Sequence, residues 1–234
     1  MIPTDYKTKK QAQQYSDYRF QKGLNQVSLD ELILLDKWLS RITSNRKRVF
    51  VDLGTGTGRV LNTLLAHNPD KIIAVDQSDA MLFQLRENFS KKVKNKKILL
   101  INQRSDETKL ESDSINAVTA FHLIKHLGAT LPTFKEISRI LKKDGIFIFD
   151  ALNKNSIIVF NLGSCVATSE KELESQLLKH GFKIKARVYM HPLGETVYNT
   201  PRPFYLLIKL LDKLISTLFP TLGTKLFIMA TKNE

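Results

Sequence analysis

The stretch Val49-Phe50-Val51-Asp52-Leu53-Gly54-Thr55-Gly56-Thr57-Gly58-Arg59-Val60-Leu61 constrains the fold of this chain more than any other. An apolar, β-branched run ending at Leu53 reads as a buried strand. Glycines at alternate positions let the backbone take left-handed conformations and approach a ligand closely. The helix predicted to follow, over 58–67, presents free N–H groups and a positive dipole end to an anion. In an open α/β sheet, such a turn at a strand's carboxyl end is where nucleotides bind.

The spacing narrows the choice of nucleotide. The dinucleotide fingerprint G-x-G-x-x-G is not met, because Gly58 falls one residue early and Arg59 stands where that pattern needs its last glycine. No Gly-Lys-Ser/Thr follows, so the phosphate loop of nucleotide triphosphatases is absent as well. A second apolar run, Ile72-Ile73-Ala74-Val75, ends at Asp76 with Gln77 beside it. Asp76 lies about twenty residues beyond the glycines, the position of an acid that binds ribose hydroxyls. A carboxylate suits a vicinal diol because its two oxygens can accept both O–H groups. Ser78 is a plausible N-cap for a helix over 79–90 that carries Met81.

Taken in order, these segments resemble the class I S-adenosylmethionine-dependent methyltransferases, of the type 11/25-like group. Asp-x-Gly-x-Gly-x-Gly is similar to that family's first motif, and Asp76 with Met81-Leu82 to its second. Ser105-Asp106-Glu107-Thr108-Lys109-Leu110 resembles the third motif, and Ser114 to Leu127 the fourth. Arg139 to Asp150 matches the helix, glycine turn and fifth strand. The likeness covers roughly residues 45–190. It implies S-adenosylmethionine as cosubstrate, cradled by Asp52, Gly54, Thr55, Gly56 and Gly58. By the same likeness Asp76, with Gln77, takes the ribose and Asp106, with Glu107, the adenine amino group. Met81 packs the adenine, and Phe121 sits beside the methionyl part. In similar enzymes an N-terminal segment closes over the cofactor, which brings Tyr15, Tyr18 and Arg19 toward the methionine carboxylate.

Two departures bear on chemistry. Asn116 stands where the fourth motif usually carries aspartate, and it cannot act as a base. Lys125 replaces a glutamate that helps hold a metal in some quinone-type relatives, which argues against metal assistance, and no metal ligands are assigned. The histidines are the near-neutral bases available. His126 aligns with a family histidine on the acceptor side. His122 lies four residues earlier and would share a helical face with it if a helix begins there. These two are the candidate catalytic residues.

The remaining sequence fills in the fold. Strands near 49–53, 71–76, 97–102, 115–121 and 145–151 alternate with helices near 58–67, 79–90 and 131–142. That alternation predicts a doubly wound, mostly parallel sheet. Strands over 183–190 and 224–231 complete a seven-stranded, Rossmann-like methyltransferase fold by resemblance, the last strand antiparallel between the fifth and sixth. The expected plan is a single domain over 1–234. It comprises an N-terminal helical cap (1–44), a cofactor-binding core (45–190) and an insertion (191–223). A first helix runs from Lys10 to Phe20. Ser28-Leu29-Asp30-Glu31 and Ser169-Glu170-Lys171-Glu172 both read as capping boxes. In the insertion, polar residues at 209, 212, 213, 216 and 217 predict a helix with a wide apolar face. That face can pack on the domain, cover the acceptor pocket as a lid, or meet membrane lipid as a cationic interfacial helix.

The net charge of +13 suits RNA, an anionic membrane or an acidic substrate. The densest basic runs, Arg46–Arg48 and Lys91–Lys97, precede strands, on the sheet edge opposite the cofactor. No aromatic–basic alternation of single-stranded RNA binders is present. A lone cysteine, no apolar N-terminal leader and no apolar run of bilayer length predict a cytoplasmic protein. The function expected is methyl transfer to a small-molecule or lipid-like acceptor, with peripheral membrane contact through 203–219 open. The alternatives are a tRNA-modifying enzyme of the same fold, or a non-catalytic binding or regulatory domain.

Overall fold

The computed structural model describes residues 6–19, 22–42, 47–128, 131–156, 165–199 and 202–233. Helices α1 (Lys9–Arg19) and α2 (Lys22–Leu39) come first, followed by β1 (Val49–Leu53), α3 (Leu61–Ala66) and β2 (Lys71–Asp76). Then come α4 (Asp79–Asn88), α5 (Ser90–Lys94), β3 (Ile98–Asn102), β4 (Ile115–Ala120), α6 (Ile124–Leu127), α7 (Leu131–Ile140) and β5 (Leu141–Asn153). The last part holds β6 (Ala167–Thr168), α8 (Glu170–Lys179), β7 (Phe182–Met190), α9 (Arg202–Leu218) and β8 (Lys225–Lys232).

The sheet order is β3-β2-β1-β4-β5-β8-β7, with β6 paired to β5 off this path. Strands β1 to β5 are mutually parallel, and β8 runs antiparallel between β5 and β7. This is the expected seven-strand topology plus the two-residue β6. Strand order reverses between β1 and β4, so the crevice at their carboxyl ends is the switch point where α/β sheets bind ligands. Both sheet faces are covered. Phe134, Phe147, Phe149 and Phe182 fill one side. Trp38, Phe50, Leu61, Phe121 and Phe227 fill the other. Burial on both faces explains why the central strands are continuous apolar runs rather than alternating ones.

Several local expectations change. The helix after the glycine loop starts at Leu61, not at residue 58, because Gly58 takes φ +91° and the chain turns before it can coil. The helix over 79–90 divides at Phe89 into α4 and α5. Ser169 caps α8 through a complete capping box with Glu172. Ser28 and Glu31 form no such box. They lie inside α2, which begins at Lys22, and both accept from Arg59: its Nη1 donates to Ser28 Oγ at 2.9 Å and to Glu31 Oε2 at 2.6 Å.

The insertion does form a helix, α9, but it turns its apolar side outward. Phe204, Leu206, Leu207, Leu210, Leu211, Leu214 and Leu218 are all exposed, and Ile208 is buried beside Val27 and Tyr198. Among the described residues no helix is long and apolar enough to cross a membrane.

Candidate functional site

The carboxyl ends of β1, β2 and β4 frame a cavity of about 360 Å³. Its floor is the glycine loop. Gly54 and Gly56 adopt φ +65° and +54°, conformations that favour glycine. A Cβ on Gly54 would sit 2.9 Å from Leu123 Cδ1, whereas one on Gly56 would meet nothing within 4 Å and would project into open space. The loop is held down by Asp76. One carboxylate oxygen accepts the Gly56 N–H at 2.8 Å and the other accepts the Ser78 N–H at 2.9 Å. Each oxygen keeps a lone pair for a ligand hydroxyl. Gln77 and Met81 line the same wall.

The N-terminal segment closes one side. Ala12 of α1 packs on Ala80 and Met81 of α4, and Tyr6 and Tyr15 meet edge to face at 5.1 Å. Ser78 Oγ caps α4 and donates to the Tyr6 carbonyl oxygen at 2.5 Å, which fixes the segment to the cavity lip. Tyr6, Tyr15, Gln103 and Ser105 all line the cavity.

Behind the loop is a smaller cavity of about 30 Å³, bounded by Tyr15, Asp52, Thr55, Arg59 and Phe121. Arg59 lies over the Phe121 ring at 5.6 Å, and its Nη2 is buried with no hydrogen-bond acceptor among the described residues. Asp52 is buried and accepts from Thr119 Oγ1 at 2.7 Å. Burial pushes its carboxyl up to about 6, against the hydrogen bond from Thr119 and the charge of Arg59. Burial also raises the Asp76 carboxyl.

The opposite wall is built by the turn after β4. His122 has φ +61° and is buried, and its N–H donates to Asp150 Oδ1 at 2.5 Å. Its Nε2 lies 3.1 Å from Glu31 Oε2 and 2.9 Å from Lys225 Nζ. Lys225, itself buried, donates to Glu31 Oε1 at 2.5 Å and pairs with Glu195 at the cavity wall. Burial works to raise the Glu31 carboxyl, but Lys225, Arg59 and His122 overcome it and hold it well below the usual range. Ligand-type atoms of Glu31, His122 and Glu195 lie within 4.8 Å of one another, and the Lys225 ammonium bonds to all three residues. His126, in α6, lines the cavity with Lys125 and Cys165. Burial first and Lys125 second push its imidazole down to about 4, so it is neutral at physiological pH.

The cavity therefore gathers Gly54, Gly56, Asp76, Gln77, Met81, Phe121, His122 and His126, with Asp52 and Thr55 directly behind. Other expected positions lie elsewhere. Gly58 is turned from the cavity and packs on Leu61, Leu85 and Phe89. Asp106 is held by Arg104 through two hydrogen bonds of 2.8 and 2.7 Å, and neither it nor the exposed Glu107 lines the cavity. The side chain of Arg19 falls outside the described residues. His122 and His126 do not share a helical face, because His122 sits in a left-handed turn before α6 begins. Asn116 is not at the site at all. It lies near the amino end of β4, where its Oδ1 accepts from the Val49 N–H at 2.9 Å. Sequence reading missed Glu31, Lys225, Glu195 and the inward role of Arg59. No local pattern marks a charged residue for burial, and these positions are distant in the chain.

The cradle suits an adenosyl amino acid on this structure's own features. The open space above Gly56 leaves room for a ligand at the backbone, the Asp76 oxygens keep lone pairs that suit a diol, and the unpartnered Arg59 Nη2 suits a carboxylate in the small cavity.

Known proteins point the same way. Residues 51–149 match the family model described as methyltransferase domain. The malonyl-[acyl-carrier protein] O-methyltransferase of Marinomonas sp. is 31% identical over 126 residues, 53% of this chain and 46% of that protein. The chain thus spans about half the length of the curated relatives it matches. Among solved structures, phosphoethanolamine N-methyltransferase 2 of Haemonchus contortus, in complex with S-adenosyl-L-methionine, superposes with a TM-score of 0.69. It is 17% identical and covers 99% of this chain and 59% of its own. A Haloferax volcanii protein in complex with the Trm112 methyltransferase activator gives a TM-score of 0.66 at 17% identity, covering 97% of this chain and 94% of its own. Likenesses of this level establish the fold.

Proposed function

We propose that the chain is a class I S-adenosylmethionine-dependent methyltransferase, a reading supported by the methyltransferase-domain match over 51–149, and that it transfers a methyl group to a small-molecule or lipid-like acceptor by in-line displacement. The observation that carries the proposal is one continuous cavity running from the glycine loop and Asp76 to the wall bearing His126. A nucleoside site and an acceptor site are thereby contiguous, as direct transfer requires.

When bound, S-adenosylmethionine supplies a methyl group already activated by its sulfonium. The chain's own contribution is then positioning and exclusion of water. In this reading Gly54 and Gly56 admit the methionyl part, Asp76 accepts from the ribose hydroxyls, Met81 packs the adenine and Phe121 flanks the methionyl chain. Arg59 Nη2 takes the amino-acid carboxylate. Asp106 can reach the adenine only by leaving Arg104.

On the acceptor side, a His126 imidazole lowered to about 4 is a poor store for a proton at neutral pH. It orients the acceptor by hydrogen bonding rather than carrying off its proton. The site therefore favours acceptors that are nucleophilic without a strong base, such as a carboxylate or a neutral amine. A carboxylate is consistent with Lys125 on the cavity wall and with the malonyl group named for the Marinomonas relative. Against a tRNA acceptor, none of the lysines of the run 91–97 lines the cavity.

The test is calorimetric titration with S-adenosylmethionine and its demethylated product, comparing the wild type with Asp76→Ala. Micromolar binding that weakens at least about tenfold in the variant is expected, since two charge-assisted contacts are removed. No binding by the wild type would overturn the reading and leave a domain that keeps only the fold.

A further inference from the structure

Helix α9 is mounted on the domain the wrong way round for a soluble surface. Leu206, Leu207, Leu210, Leu211, Leu214 and Leu218 are 41–72% exposed. At about 100° per residue they fall within an arc of roughly 140°. On the side turned to the body Ile208 is buried, and Asp212 Oδ1 accepts from the Leu193 N–H at 3.3 Å. A helix ordinarily buries its apolar arc. Here that arc amounts to several hundred Å² of exposed apolar surface, at or beyond the ~300–600 Å² of the largest patch on a typical monomer.

The charges choose the occupant. Along 204–218 the carboxylate is Asp212, and it is tied to the body. Lys213 is exposed at the edge of the leucine arc, and the half-buried Lys209 shares a groove with Asp30 and Asp212. The whole chain carries +13. A second copy would bring +13 against +13, whereas an anionic lipid surface complements both the leucines and the cations. The position is also telling. Glu195, which lines the cavity, precedes α9, and Lys225, which follows it, pairs with Glu195. Both ends of the insertion are thus rooted at the acceptor wall.

We propose that α9 is an interfacial helix that seats the protein on anionic bilayers, with the acceptor cavity opening beside the interface. This rests on the methyltransferase reading of that cavity and deepens it, since an acceptor dissolved in the bilayer would reach the site without crossing water.

The experiment is co-sedimentation of the whole chain with vesicles of zwitterionic lipid alone and of zwitterionic mixed with anionic lipid, at low and high salt. The wild type is expected to bind the mixed vesicles, less so at high salt, and at least about tenfold more tightly than Leu207→Glu/Leu214→Glu. Because α9 lies outside the cofactor wall, the double variant should keep the wild-type affinity for S-adenosylmethionine, which also shows that it has folded. Failure of the wild type to bind anionic vesicles overturns the proposal. So does a stable dimer in light scattering that the same double variant dissociates, since a second copy would then cover the arc. Vesicle binding without S-adenosylmethionine binding would refute the catalytic reading alone.

Discussion

Asp52→Asn should make this protein more stable while making it a worse binder of its cofactor. Asp52 is buried beneath the glycine loop, and burial raises its carboxyl from an ordinary 3.8 to about 6. A raised carboxyl favours the folded state only while protonated. That contribution is complete below about pH 4 and is lost as pH rises through about 6. At about 1.4 kcal/mol per pH unit, the loss comes to roughly 3 kcal/mol above pH 7. Asparagine keeps an oxygen to accept from Thr119 Oγ1 but carries no charge to bury. The variant should therefore match the wild type near pH 4 and exceed it by about 1–3 kcal/mol at pH 8. For a chain of 234 residues that is several degrees in melting temperature. Urea unfolding across pH 4–8.5 measures this directly. Stability curves of the two proteins that run parallel across that range would refute the reasoning. Adding S-adenosylmethionine should reverse the order, because a cationic ligand beside a carboxylate relieves the burial cost and beside an amide does not.

Two further outcomes follow from the buried charges and the loop. Lys225→Met leaves Glu31 in the interior without its ammonium and should cost about 3–5 kcal/mol in urea unfolding, with Lys225→Met/Glu31→Gln costing clearly less than the sum of the single changes. Gly56→Ala, at φ +54° with no atom within 4 Å of the new methyl, should lose about 1–2 kcal/mol of stability from the left-handed backbone. Calorimetry should show it also weakening S-adenosylmethionine binding, because the methyl enters the cavity.

Features governed by chain neighbours were legible in the sequence. Five apolar runs alternating with helical segments predicted the parallel sheet, and a glycine turn before an acid placed the cradle at the switch point. Identical local signals nevertheless had opposite outcomes. Ser169 and Glu172 close a capping box because the chain before them is extended, with Ser169 at ψ 153°. Ser28 and Glu31 have the same spacing, but α2 already runs through them and Arg59, 28 residues beyond Glu31, competes for both side chains. A charge-assisted contact in the interior outweighs a cap on a helix that has no end there. The same limit hid the wall of the site. Lys225 heads an apolar strand and looks like a solvated flank, and only the docking of α2 across the sheet brings Glu31, 194 residues away, to its ammonium.

Periodicity fails in a more specific way at α9. Hydrophobic spacing fixes the width of an apolar arc, and the arc is real, but spacing carries no information about which way the arc points. Orientation is decided by what the inward side must hold. Here Asp212 has a backbone N–H of Leu193 to accept from, and Ile208 has Val27 and Tyr198 to pack against. Rotating α9 by half a turn to bury its leucines would carry Asp212 out of the body and release the Leu193 N–H. A buried backbone donor left unpaired costs about 1–3 kcal/mol, and Ile208 would lose its packing against Val27 and Tyr198. The contacts at the root of the insertion thus favour an outward leucine arc, the surface that we propose an anionic bilayer covers.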